Sequence, residues 1–393
     1  MSHLSYMEKL LDGVEVVWKA LGDVADYSQT RVDASCLCAS SFVGVDNLVA
    51  NKSGRVDATY MPNTERLTAY EIGDILLGNI RPYLKKVWKA TSSGGCSGDV
   101  LAIRISENFK GMVSSDYLYY LLSSDAFFTY NMQHAKGAKM PRGNKAAILN
   151  FQIPIPCPNN PEKSLAIQAE IVRILDAFTA MTAVLTVELN LRKKQYNYYR
   201  DQLLSFEEGD VEWKALGKIA EINTGQKPSE ILDTEAEFDY INAGTTRSGY
   251  CALSNCEGDT VTTPSRGQGG IGFVGYQNKS FWLGPLCYKI RSIDNKILIN
   301  KYLFYILQSK NQLLLGLKKE GGVPAVNKSD LAKLEIPVPS ITEQERIVEI
   351  LDKFDTLTTS IQEGLPREIE LRQKQYEYYR DLLLSFPKSD EAA

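Results

Sequence analysis

The chain has 393 residues, 44% hydrophobic and 23% charged, with a formal net charge of −4, the proportions of an ordinary soluble globular protein of two or three domains. No apolar run approaches a membrane span, the seven cysteines form no C-x-x-C pair and only two histidines are present, so a membrane span, a zinc framework and histidine-based hydrolysis are poorly supplied. The cysteines are expected to be reduced and mostly buried, and because Met1-Ser-His-Leu-Ser5 lacks the apolar core of an export signal, the cytoplasm is the expected location.

In chain order, one half is written twice. Val17-Trp-Lys-Ala-Leu-Gly22 returns as Glu212-Trp-Lys-Ala-Leu-Gly217, and Pro154-Ile-Pro156 as Pro337-Val-Pro339. Arg173-Ile-Leu-Asp176 returns as Glu349-Ile-Leu-Asp352, and the stretch from Leu191 to Phe206 as that from Leu371 to Phe386. A repeat of this length sets the architecture. Residues 1–155 and 209–339 read as two similar bodies, and 156–208 and 340–393 as two helical segments that follow them.

Each body holds short β-type runs broken by glycine, such as Asp99-Val-Leu-Ala-Ile-Arg-Ile105 and Leu286-Cys-Tyr-Lys-Ile-Arg291. Each also holds an aromatic helix candidate, Asp116 to Leu122 and Lys301 to Leu307, whose tyrosines at helical spacing read as core rather than as base-stacking groups. The class is therefore α+β. After each Pro-x-Pro turn a 4-3 apolar seam predicts a helix of about 40 residues, roughly 60 Å long. The first seam runs through Ile171, Leu175, Phe178, Thr182, Leu185, Leu189, Arg192, Tyr196, Tyr199 and Leu203, broken only at Thr182 and Arg192; the second runs through Ile347, Leu351, Phe354, Thr358, Ile361, Leu365, Ile369, Arg372, Tyr376, Tyr379 and Leu383. The second carries four extra residues near Gly364 and Pro366, a stutter that keeps the seam on one face while Pro366 threatens a kink. An antiparallel pair of these helices is the economical arrangement.

The net charge argues against a nucleic-acid partner, and its distribution argues for one. No acid lies between Asp74 and Asp99, between Asp259 and Asp294, or from Ala126 to Pro161, while lysines and arginines recur there. Segregation of this kind makes a basic face on a mildly acidic protein, although solvated surface lysines without a partner give the same runs. Gly267-Gln-Gly-Gly-Ile-Gly272 fits G-x-G-x-x-G, but it leads into Phe273-Val-Gly-Tyr276, which reads as strand or loop rather than a helix, so a tight loop beside DNA or a turn is the better reading.

The Trp-x-x-Leu-Gly starts at Trp18 and Trp213, the mid-body Gly73-Asp74 and Gly258-Asp259, and the junction Ile336-Pro-Val-Pro-Ser-Ile-Thr-Glu-Gln-Glu-Arg-Ile-Val348 together resemble the specificity subunits of type I restriction-modification systems. The resemblance covers nearly the whole chain. The first half departs from it, with Ile167 in place of the junction glutamate. The resemblance implies a non-catalytic subunit whose two target recognition domains each read half of a split double-stranded DNA site, with the helices setting the gap. It implies two adenine methyltransferase (modification) subunits docked on the helices, and two ATP-dependent restriction subunits that could join them. Cofactors, none in this chain, would be S-adenosylmethionine, and ATP and Mg with a nuclease, all held by partners. The sequence itself carries no Asn-Pro-Pro-Tyr/Phe methylase motif and no Walker A lysine. A stand-alone DNA-binding or coiled-coil scaffold protein and an enzyme with divergent motifs are the alternatives.

Base readout needs forked donors, and phosphates take lysines and small polar groups. The DNA-contact candidates are Arg81, Lys85, Lys86, Lys139, Arg142, Asn144 and Lys145 in the first body. In the second they are Gln226, Lys227, Arg247, Arg266, Gln268, Asn327 and Lys328. Arg81 and Arg266 are read as matching positions, as are Asn144-Lys145 and Asn327-Lys328; the Asn-Lys pairs read slightly better as polar loops. Tyr198, Arg200, Tyr378 and Arg380, on faces taken to be exposed, are the partner-contact candidates, unless the tyrosines pack within the helix pair.

Overall fold

The computed structural model describes residues 9–207, 209–267, 269–319, 324–360 and 362–387. They fall into two compact units, Met1–Val184 with Glu370–Ala393, and Leu185–Ile369. Among the described residues no helix is long and apolar enough to cross a membrane, and all seven cysteines are free, four of them buried.

In the first unit the Trp-Lys-Ala start and the Pro-x-Pro turn find each other. Strand Val16–Ala20 pairs antiparallel with Gln152–Pro156, Trp18 opposite Pro154. Beside this ribbon lies an antiparallel sheet in the order Ala25–Tyr27, Val100–Ile105, Ile75–Gly78, Val87–Lys89. Its alternation explains why the central strands are apolar throughout. Ile75, Leu77, Leu101 and Ile103 enter a core with the helices Ser115–Leu122 and Asp125–Gln133. The intervening Leu76, Val100 and Ala102 enter a second core with Val43, Leu48 and Tyr70, so both faces are covered.

The second unit repeats the plan. Glu212–Ala215 pairs with Glu335–Val338, Trp213 opposite Pro337, and the sheet order is Ala220–Thr224, Cys287–Ser292, Thr260–Pro264, Gly275–Gln277. The helix tyrosines are core in both units, as their spacing required. Tyr117 donates its hydroxyl to the Pro154 carbonyl at 3.0 Å and Tyr302 to that of Pro337 at 3.1 Å.

Each body is fastened to its helix by a matched glutamine. Gln168, fully buried, accepts from the Ser114 amide at 2.9 Å and donates to the Met112 carbonyl at 2.7 Å. Gln344, equally buried, accepts from the Ile299 amide and donates to the carbonyls of Ile297 and Pro339, all at 2.9 Å. Tyr120 and Tyr305 add hydroxyl bonds of 2.5 Å to Asp176 and Asp352. The departure at Ile167 is thereby explained. Its counterpart Glu343 only pairs with Arg346 on the surface, so an isoleucine, buried in the core, replaces it without loss of the attachment.

The first helix is continuous over Pro161–Leu203, 43 residues or about 65 Å. Its N-terminal part belongs to the first unit, where Phe178 stacks on Tyr379 at 5.3 Å. Its C-terminal part belongs to the second, where Tyr199 stacks on Phe354 at 5.8 Å. Phe178 matches Phe354 and Tyr199 matches Tyr379, so one antiparallel contact is made once in each unit.

The second helix departs from expectation. The four-residue insertion is not absorbed as a stutter; it breaks the helix into Ile341–Thr359 and Leu365–Leu383. Ser360 accepts from the amides of Gln362 and Glu363, and Gly364 takes φ +90°, where an added Cβ would lie 2.5 Å from the Thr356 carbonyl oxygen. A turn closed by a left-handed glycine ends the helix before Pro366 can bend it. Ile361, assigned to the seam, lies outside the described residues.

The ladders also correct the internal alignment by one residue. Ile75 pairs with Ile103 where Val261 pairs with Ile290, so Gly73 corresponds to Asp259, not Gly258. Both residues have positive φ, +91° and +50°.

Candidate nucleic-acid interface

In the first unit, the segment from Lys136 to Arg142 closes on itself. The Lys136 amide donates to the Arg142 carbonyl at 2.9 Å, and the Arg142 amide donates back at 2.8 Å. This loop docks on the end of strand Ile75–Gly78 through an Ile80–Arg142 bridge and a 2.7 Å bond from the Arg81 amide to the Pro141 carbonyl. Arg81, Lys139 and Arg142 are brought together there, all exposed. Arg142 leans on Asp99 at 3.2 Å. Asn144 caps the helix Lys145–Leu149, accepting from the amides of Ala146 and Ala147, so its oxygen is engaged structurally and its amide group remains for a base or phosphate. The Lys145 ammonium lies 5.9 Å from the Tyr27 ring centre.

Two candidates are diverted. Lys86 donates to the Val45 carbonyl at 2.7 Å, and Lys85 meets Asp125 at 2.5 Å. Asp125 also takes Lys52 at 3.2 Å and Arg380 at 2.7 Å. Burial works against its charge, but the bond from Lys85 and the neighbouring Lys52 and Arg380 hold its carboxyl well below the usual carboxylate range.

The second unit builds the same frame with other side chains. Lys319 and Arg266 both bridge to Ala325, and the Gly267 amide donates to the Pro324 carbonyl at 3.1 Å. Ala325 stands two residues before Asn327 as Arg142 stands two before Asn144, so Arg266 corresponds to Ile80 and Gly267 to Arg81. The expected match of Arg81 with Arg266 is therefore off by one position. The register that matches Ile75 with Val261 runs unbroken to Ile80 and Arg266, so the offset arises before strand Thr260–Pro264, where Gly73 already matches Asp259. Asn327 caps the helix Lys328–Leu331 without a side-chain bond, and Lys328 donates to Asn223 at 3.2 Å. That bond brings Lys328 beside the strand that runs out to exposed Gln226 and Lys227. Arg247 stands apart on the loop between the paired strands Phe238–Ile241 and Tyr250–Cys251, bonded to Asp239 at 3.0 Å and lying 4.1 Å from the Tyr250 ring centre. Gln268 lies outside the described residues. The glycine-rich run leads to strand Gly275–Gln277 rather than into a helix.

On the helices, Tyr198 and Tyr378 point outward, 59% and 45% exposed, while their neighbours Tyr199 and Tyr379 make the Phe stacks. Arg200 pairs with Asp201 at 2.7 Å, its guanidinium 5.7 Å from the Tyr196 ring centre. Arg380 is corrected. It is 1% exposed, bound to Asp125 and Asp381, and is an interior anchor rather than part of an exposed face. Sequence reasoning missed Asp125, Lys52 and the two glutamines. Only the glutamines left a signal, their recurrence at matched positions in the repeat.

Comparison with known proteins gives one answer. Residues 93–191 and 208–371 match the family model described as the type I restriction modification DNA specificity domain. The chain is 39% identical to the type I restriction enzyme EcoR124I/EcoR124II specificity subunit of Escherichia coli, over 99% of both chains. It is 33% identical to the type I restriction enzyme EcoprrI specificity subunit of Escherichia coli, over 92% of this chain and 93% of that one. In fold it resembles the crystal structure of the type I restriction-modification S subunit from M. genitalium, with a TM-score of 0.61 at 16% identity, covering 96% of this chain and 98% of that chain.

Proposed function

Because this chain belongs to the type I restriction-modification specificity subunits, non-catalytic subunits that recognise DNA sequence, we propose that its two bodies read the two halves of a bipartite double-stranded site. One observation carries this reading: the same backbone frame occurs in both units with different side chains on it. Arg81 and Arg142 in the first unit are replaced by Gly267 and Ala325 in the second, and Ile80 by Arg266. One scaffold with exchanged donors is what two different half-sites require, since guanine is read by forked arginine and the other bases by other groups.

The helices set the gap between half-sites and carry two modification subunits, with Tyr198, Arg200 and Tyr378 as contact candidates. S-adenosylmethionine, and ATP with Mg where two restriction subunits join, belong to those partners, which act with this chain in the cytoplasm. Extruding an adenine from the stack costs a few kcal/mol; this chain's share is to hold the duplex in register while the modification subunit acts. A stand-alone scaffold would have no need of two exchangeable reading frames.

Fluorescence anisotropy on the assembled complex and specific duplex tests the reading. Arg142→Ala and Arg266→Ala should each weaken binding by about 1–3 kcal/mol if they contact bases. The two losses should add, because each arginine faces its own half-site. Wild-type affinity in both variants would remove these arginines from the interface.

A further inference from the structure

We propose that Asp125 is a positioning residue for DNA recognition by the first unit, fastening the loop that carries Arg81 to the last helix; this rests on the DNA-reading function above. Asp125 opens the helix Asp125–Gln133, whose cap Ser124 accepts from the Phe127 amide at 3.1 Å. Three cations from three separate segments converge on its carboxylate. Oδ1 accepts from Lys52 at 3.2 Å and Lys85 at 2.5 Å, and Oδ2 from Arg380 at 2.7 Å.

The two loops that supply the lysines are themselves joined. The Asn51 amide donates to the Leu84 carbonyl and the Lys52 amide to that of Lys85, both at 2.9 Å. Arg81, Lys85, Asn51 and Lys52 all have positive φ, between +51° and +62°. A left-handed non-glycine residue is costly and persists only where its surroundings over-determine it. Four of them in two touching loops need a tie that holds, and Asp125 supplies it from the helix side. From Lys85 the backbone bond to Pro82, then the Arg81 amide bond to Pro141, carry the arrangement into the loop bearing Arg142.

The tie is one-sided. In the second unit the residue matching Asp125, counted from the paired tyrosines Tyr117 and Tyr302, is Lys310, whose ammonium lies over the Trp213 ring at 5.1 Å. Gly267 replaces Arg81 there, and Arg200, which matches Arg380, pairs with its neighbour Asp201. A change at Asp125 should therefore reach one half-site only, whereas a general loss of stability would reach both.

The experiment uses the complex of the full chain with its modification subunits and three duplexes: the full site and the site with either half scrambled. Asp125→Asn should reduce discrimination at one half-site about tenfold, the scale of one charge-assisted hydrogen bond, and leave the other unchanged. The affected half should be the one relaxed by Arg142→Ala, and Asp125→Glu should restore part of the loss. If Asp125→Asn does not fold, Lys52→Met carries the test, because it removes one cation and leaves the Arg380 pair in place. Unchanged discrimination in whichever variant folds, or equal loss at both halves, overturns the proposal. Failure of the wild-type complex to discriminate either half would instead overturn the DNA-reading assignment.

Discussion

Charge at single residues is only half visible in a sequence. Lys85 and Lys86 sit in an acid-free window and read as phosphate contacts, yet one is claimed by Asp125 and the other by a carbonyl. Asp125 lies 40 residues away in sequence from Lys85 and 255 from Arg380, and no local pattern announces such a meeting. Arg142 and Arg266 instead stay exposed, each on a backbone bridge of the same frame. Cys38 shows the same dependence on near neighbours. Ser40 and Ser41 place hydroxyls 3.1 and 3.4 Å from its exposed sulfur, and these bonds, Ser40's first, hold the thiol down to about 7. The thiolate is the reactive form and grows as pH rises. Alkylation followed by mass spectrometry should therefore label Cys38 ahead of buried Cys96 and Cys287, with a midpoint near pH 7 that moves upward in Ser40→Ala. A Cys38 rate that rises only above the ordinary thiol range would contradict this.

At the scale of elements, apolar spacing located the strands, the tyrosine helices and the seam, because burial on one face leaves a period in the sequence. Spacing did not locate the helix break at residues 360–364, since a four-residue insertion is compatible with a continuous seam and only the geometry at Gly364 decides otherwise. Nor did it rank the junction residues. Glu343 and Gln344 look alike as polar residues at a helix start, but one pairs on the surface and the other, itself fully buried, satisfies three backbone groups. Gln344→Ala should therefore cost roughly 2–4 kcal/mol, the penalty of stranding buried donors and acceptors. Glu343→Ala should cost less than about 1 kcal/mol, as for an exposed pair. Urea unfolding followed through the second unit distinguishes them, and equal losses would show that the attachment lies elsewhere.

Across the whole molecule, the repeat makes the architecture legible in the sequence: two bodies, each opening on Trp-Lys-Ala and closing on Pro-x-Pro, each followed by a helix. Its limit was register. A one-residue offset before strand Thr260–Pro264 puts Arg266 at the position of Ile80 rather than that of Arg81, and it leaves different side chains on two bodies of the same plan. The central claim is that each body reads its own half of a split site. Mapping methylated adenines in cells that carry the modification subunits, with this chain in wild-type, Arg142→Ala or Arg266→Ala form, tests it most directly. The account predicts one motif of two specified halves around an unspecified gap, absent without the chain, with the two substitutions relaxing opposite halves. A single uninterrupted motif, or both substitutions relaxing the same half, would contradict it.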